Sequence, residues 1–158
     1  MSLKYSSLCI TRRSVWLNPW EHSRRVYETL IALGLCEMSV IVVSDCQRIL
    51  GLGDLGANVM PIPVSRLLLY SARGGIEPAK TLPVVLDVRC DIAKIRDDPY
   101  YLGVRKEGVA REQYDVFVEE FMTAARKVFS KRCLVQFEDF CNNNAACLLY
   151  TSPSPRDA

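Results

Sequence analysis

Gly51, Gly53 and Gly56 stand in the spacing GxGxxG, a few residues beyond the apolar run of residues 38–44. That pattern can serve a dinucleotide, because glycines let backbone approach a pyrophosphate and the amides opening a following helix bind its charge. The context argues against it. Residues 45–50 separate the apolar run from the first glycine, and Pro61 and Pro63 delay the helix that should begin at the third. No acid ends a second strand roughly twenty residues on, where a ribose hydroxyl would be held. The competing reading is a tight turn, permitted by glycine's freedom at positive φ, that brings backbone close to a ligand or a neighbouring strand. Seven cysteines, at 9, 36, 46, 90, 133, 141 and 147, include no CxxC pair and have one histidine, His22, to support them. That spacing predicts neither a zinc site nor a disulfide framework, and cysteines in apolar stretches suit a reducing intracellular compartment.

The elements that would position such residues follow from periodicity. Residues 38–44, 82–88 and 133–137 are short apolar runs rich in β-branched residues, which predicts buried parallel strands. Residues 112–129 carry Tyr114, Phe117, Val118, Phe121, Ala125 and Val128 at three- and four-residue spacing, the stripe of an amphipathic helix. Further helices are predicted over 24–33, ending at Gly34, and over 64–72, closed by Gly74-Gly75. Alternation of helix and strand predicts an α/β fold, a mostly parallel sheet of about three core strands flanked by helices. Residues 97–112 mix charge, proline and glycine and read as a surface connection.

A length of 158 residues and 49% apolar content predict one domain with one core. Twenty basic against eighteen acidic residues leave a net charge of +2, no footprint for nucleic acid or an anionic membrane, although small anions still fit. No apolar run has the length of a membrane span and no signal-peptide core follows Met1, so a soluble chain is expected. Residues 1–20 carry Lys4, Arg12, Arg13 and serines but no acid, which suits an organellar transit peptide or an internal segment that happens to begin at methionine. The tail 147–158 (CLLYTSPSPRDA) breaks every earlier pattern and resembles a translated sequencing adapter. It is expected to be non-native, with Ala146 the last native residue.

Several ordered blocks carry a resemblance. Ile41-Val42-Val43-Ser44-Asp45, Arg48-Ile49-Leu50-Gly51-Leu52-Gly53-Asp54-Leu55-Gly56, Ile62-Pro63-Val64 and Leu82-Pro83-Val84-Val85-Leu86-Asp87-Val88 succeed one another. Leu69-Tyr70 and Gly74-Gly75-Ile76 lie among them, and Asp98-Pro99 with Tyr101-Leu102-Gly103, Tyr114-Asp115 with Glu120-Phe121-Met122, and Val135-Gln136-Phe137-Glu138-Asp139-Phe140 follow. In order and spacing these resemble the N-terminal substrate domain of the malic enzymes, over residues 38–146 and more weakly through residues 1–37. The resemblance implies part of an enzyme that oxidatively decarboxylates malate to pyruvate and CO₂, using Mg²⁺ or Mn²⁺ and a nicotinamide cofactor, NAD or NADP. In that family the cofactor sits mainly on a separate downstream domain, and the assembled enzyme is a dimer or tetramer in the cytosol or an organelle such as the mitochondrion.

Residue roles follow from the same resemblance. Arg48 matches an arginine that holds a carboxylate of malate, for which a guanidinium fork is suited; a surface arginine capping a turn is the alternative. Glu138 and Asp139 match two of three metal-binding carboxylates, hard oxygen ligands at the end of a parallel strand. Both can meet one ion only if the strand ends near Phe137, since consecutive strand residues point to opposite faces; a solvated acidic pair is the alternative. Arg66 stands where the family has its catalytic lysine. Arginine stays protonated and cannot act as a general base, so the isolated chain is expected to be inactive. Val59, Pro61 and Ser65 replace family glycines, and Val59 would be strained wherever the backbone needs positive φ. Arg89-Cys90-Asp91 replaces a Gly-Thr-Asn run. A non-catalytic module that binds a dicarboxylate, with Arg48 and Arg66 as its clamp, or that joins subunits is the alternative function.

Overall fold

A strand covered on both faces must be apolar at nearly every position, and residues 40–44 and 81–86 are buried throughout. The computed structural model describes residues 14–140 apart from 36, 50 and 130. Within them the chain runs β1 (Val15–Leu17), α1 (Pro19–His22), α2 (Val26–Ala32), β2 (Val40–Ser44), α3 (Pro61–Gly74), β3 (Thr81–Leu86), α4 (Ala93–Arg96), α5 (Arg111–Val128) and β4 (Leu134–Phe137). The strands form one four-stranded sheet in the order β1-β3-β2-β4, with each neighbouring pair parallel. The predicted α/β class is therefore present, with β2, β3 and β4 as the predicted strands and α2, α3 and α5 as the predicted helices. The sheet gains a fourth strand, β1, which three residues could not announce.

Side-chain alternation makes the sheet the middle of three layers. Ile41, Val43, Leu82, Val84 and Leu86 point into one cluster with Val26 and Leu30 of α2 and Phe117, Val118 and Phe121 of α5. Val40 and Val42 point the other way, against Leu67 of α3. That helix begins at Pro61, five residues beyond the third glycine, and both prolines lie inside its first turn rather than ahead of it. Proline at the first helical turn lacks an N–H that would be unpaired there anyway. At its other end Gly75, with φ of 68°, gives the left-handed cap expected of the glycine pair.

The connection before α5 is not purely a surface one. Tyr101 is buried, and its hydroxyl accepts a hydrogen bond from the Ala57 N–H at 2.9 Å. Gly56 and Gly103 leave room for that ring, since a Cβ on either would collide with the Tyr101 hydroxyl. The same connection reaches Asp87, which follows β3 and is 3% exposed. The Val104 N–H donates to Asp87 Oδ2 at 2.6 Å, while Oδ1 is buried with no hydrogen-bond partner among the described residues. Burial, with a smaller contribution from Asp54, pushes the Asp87 carboxyl up to about 6 against the Val104 hydrogen bond.

Two tests follow from the packing. Phe121→Ala empties the centre of the α5 face and should lower stability by about 3–5 kcal/mol in denaturant titration; a loss below about 1 kcal/mol would mean that α5 does not seal the sheet. For Asp87, a folded pKa above the unfolded value means that the native state holds the proton more tightly. Stability should therefore fall as pH rises from about 4 to about 6, and the penalty stays above that window. Asp87→Asn keeps an acceptor for Val104 and should gain on the order of 1–3 kcal/mol at neutral pH, fading near pH 4. A gain independent of pH would contradict this origin.

Candidate functional site at the C-terminal edge of the sheet

Parallel strands end on one side, so the segments leaving them gather along one edge, where ligands of such sheets bind. Asn18, Asp45, Asp87 and Glu138 each follow the last residue of their strand on that edge. Asp45 is fully buried and satisfied, accepting from the Tyr114 hydroxyl of α5 at 3.0 Å. Glu138 and Asp139 leave β4 beside β2, because the Glu138 N–H still donates to the Val43 carbonyl at 2.8 Å. The strand ends at Phe137, the condition set for the two acids to act together. Asp139 then turns the chain at φ of 52°, a left-handed conformation that aspartate tolerates better than most residues.

The centre of the site is an ion pair. Arg66, on the second turn of α3, donates from Nε to Glu138 Oε2 at 3.1 Å and from Nη2 to Oε1 at 2.5 Å. This two-point fork is the strong form of a guanidinium–carboxylate contact. Gln136 Nε2 also donates to Glu138 Oε2 at 2.5 Å, and the Tyr70 hydroxyl fixes the amide by donating to Gln136 Oε1 at 2.5 Å. The Glu138 side chain is only 9% exposed, whereas that of Arg66 is 46% exposed. Hydrogen bonding to Glu138, then its charge, raises the Arg66 guanidinium above its already high ordinary value. The Asp139 carboxyl is raised by burial first and by the Glu138 charge second, with Arg66 opposing.

These residues do not fit a divalent cation as arranged. Both oxygens of Glu138 already accept from Arg66, one of them also from Gln136, so an ion would have to displace a cation held at two points. Among the described residues no group of three or more His, Cys, Asp and Glu side chains converges to hold a metal. The described cysteines, Cys46, Cys90 and Cys133, carry free thiols, and burial raises each of them.

Arg48 stands on the loop that leaves β2 at the same edge, exposed, and takes part in none of the ion pairs among the described residues. The glycine motif beside it is a turn. Ile49 and Gly53 exchange N–H···O bonds at 2.9 and 2.8 Å, and Gly51 and Gly53 sit at φ of 77° and 78°. The third glycine opens a short 3-10 turn, Gly56–Val59, and no phosphate-binding helix starts there. Asp54 braces the turn by accepting from Gly56 N–H at 2.8 Å and Asp91 N–H at 2.5 Å. Val59 lies outside the positive-φ residues and is fully buried, so the strain feared for it does not arise.

Tyr70 and Gln136 were not singled out from the sequence, although spacing held a clue. Tyr70 is four residues from Arg66 on one helical face, and Gln136 is two residues from Glu138 on one strand face. Residues 1–13 and 141–158, including the expected non-native tail, lie outside the described residues.

The sequence profile of the family "Malic enzyme, N-terminal domain" matches residues 2–151. The NADP-dependent malic enzyme of Mus musculus is 50% identical over 112 residues, which is 71% of this chain and 20% of that protein. That of Homo sapiens is likewise 50% identical over 112 residues, covering the same shares. The chloroplastic NADP-dependent malic enzyme 4 of Arabidopsis thaliana is 40% identical over 146 residues, 92% of this chain and 22% of that protein. The chain thus spans about a fifth of the length of these relatives. A profile match along nearly its whole length, in agreement with the all-parallel sheet, places this chain in the malic enzyme N-terminal domain family.

Proposed function

We propose that this chain is part of the substrate domain of an enzyme that oxidatively decarboxylates malate to pyruvate and CO₂, and that alone it turns over no malate. The hydride acceptor, NADP or NAD, would bind on parts of the parent outside this chain, since the glycine motif here closes on itself as a turn. Relatives named as NADP-dependent malic enzymes support the reaction class. The natural ligand is malate or a related dicarboxylate, and the parent would work as a dimer or tetramer inside the cell, in the cytosol or an organelle. No helix among the described residues is long and apolar enough to cross a membrane.

Within this chain, exposed Arg48 would grip one carboxylate of the substrate through its donor fork. Oxidation of malate requires a group that takes the hydroxyl proton. Arg66, at the position where the resembling family carries its lysine, cannot do so. Its guanidinium is permanently charged and is committed to Glu138 at two points, the observation that carries this reading. Glu138 is in turn committed as an acceptor.

Purified chain supplied with malate and either NADP⁺ or NAD⁺ should form no reduced nicotinamide, and malate-dependent reduction would overturn the proposal. Calorimetry with malate should show no saturable heat. A lone exposed arginine contributes about 1 kcal/mol or less to holding an anion, against roughly 4 kcal/mol needed for a millimolar dissociation constant. Tighter binding that disappears in Arg48→Ala would identify a dicarboxylate-binding module instead.

A further inference from the structure

Glu138 is a buried carboxylate in direct hydrogen-bonded contact with a cation on another element, and the adjacent Asp139 feels the same charge. A buried carboxylate with a second acid beside it is stabilised by nearby positive charge, whether that charge is a metal ion or a side chain. Here the charge arrives from α3. Its direction is fixed by two donors on Glu138, and the carboxylate is steadied by Gln136, itself held by Tyr70. An approaching Mn²⁺ or Mg²⁺ would find the oxygens occupied and would be repelled by the guanidinium.

We infer that Arg66 serves as a built-in substitute for a divalent cation at Glu138 and Asp139, holding this edge of the sheet together without metal and closing it to metal. The inference rests on the substrate-domain reading for what the acids would otherwise hold, but its test does not use malate. With the guanidinium removed, Glu138 and Asp139 should draw in a divalent cation, water completing the ligand set that two carboxylates leave open.

Thermal unfolding of the full chain, with chelator or with millimolar Mn²⁺, reads this directly. The wild-type midpoint should be the same in both. Arg66→Met should melt lower in chelator and regain at least about 3 °C with Mn²⁺, because an ion that binds only the folded state stabilises it. Adding Glu138→Gln to that variant should abolish the gain. An equal Mn²⁺ response in wild type, or no response in Arg66→Met, would overturn the inference. If Arg66→Met does not fold, the electron paramagnetic resonance signal of free Mn²⁺ titrated with wild-type chain decides. An undiminished signal is expected, and a loss that disappears in Glu138→Gln refutes the substitution. Failure here, with the malate assays turning out as expected, would leave the substrate-domain reading standing.

Discussion

The pairing of β2 with β3 is the constraint on which the rest of the molecule depends. These strands are buried on both faces and share a parallel register from Val40–Thr81 to Ser44–Val85. Parallel pairing forces the chain to cross back over a face of the sheet between strands, so helices must cover it. α3 fills the crossover from β2 to β3, and α5 lies in the return from β3 to β4. The same geometry brings the ends of all four strands to one edge. Asp45, Asp87 and Glu138 are neighbours of that edge because of topology, although more than forty residues separate each from the next in sequence.

Gathering acids at a dry edge has a cost, and the three are relieved in different ways. Asp45 has the Tyr114 hydroxyl, so α5 contributes a polar contact as well as its apolar stripe. Glu138 has a full countercharge in Arg66. Asp87 has one backbone donor and a bare second oxygen, and burial pushes it up to about 6. Burial decides for Asp87 because the countercharge that satisfies Glu138 is missing there. The sheet edge is thus stabilised where it is paired and weakened where it is not.

Residues 40–44, 82–86 and 112–128 could be recognised in the sequence because their patterns are local: continuous apolar runs and a helical stripe report burial directly. β1 could not, since three residues joined to β3 by long-range pairing leave no periodic trace. The glycine motif's spacing is shared by a phosphate loop and a simple turn; the residues before Gly51 already argued for the turn, and the Ile49–Gly53 hydrogen bonds form it. Tyr101 belonged to a block of resemblance, but its burial was hidden inside a segment of charge, proline and glycine, where composition averages over a side chain that turns inward. Glu138, Asp139 and Arg66 were identifiable as candidates through ordered blocks of resemblance, but their contact was not. It depends on α3 crossing the end of β4, seventy-two residues away in the chain.

Arginine at position 66 ties together two properties that would otherwise be independent. A lysine there could lose its proton and could leave Glu138, since an ammonium is a single point of charge on a flexible stem. The guanidinium does neither readily: its fork fixes it to both oxygens, and that pairing raises its affinity for its own proton. A charge that cannot be given up and a carboxylate already occupied are therefore one physical event seen from two sides. The supporting Tyr70–Gln136–Glu138 chain points the same way, because it orients the carboxylate toward α3, where the guanidinium waits. Whatever ligand the parent protein brings to this edge must contend with a fixed positive charge that is already neutralised.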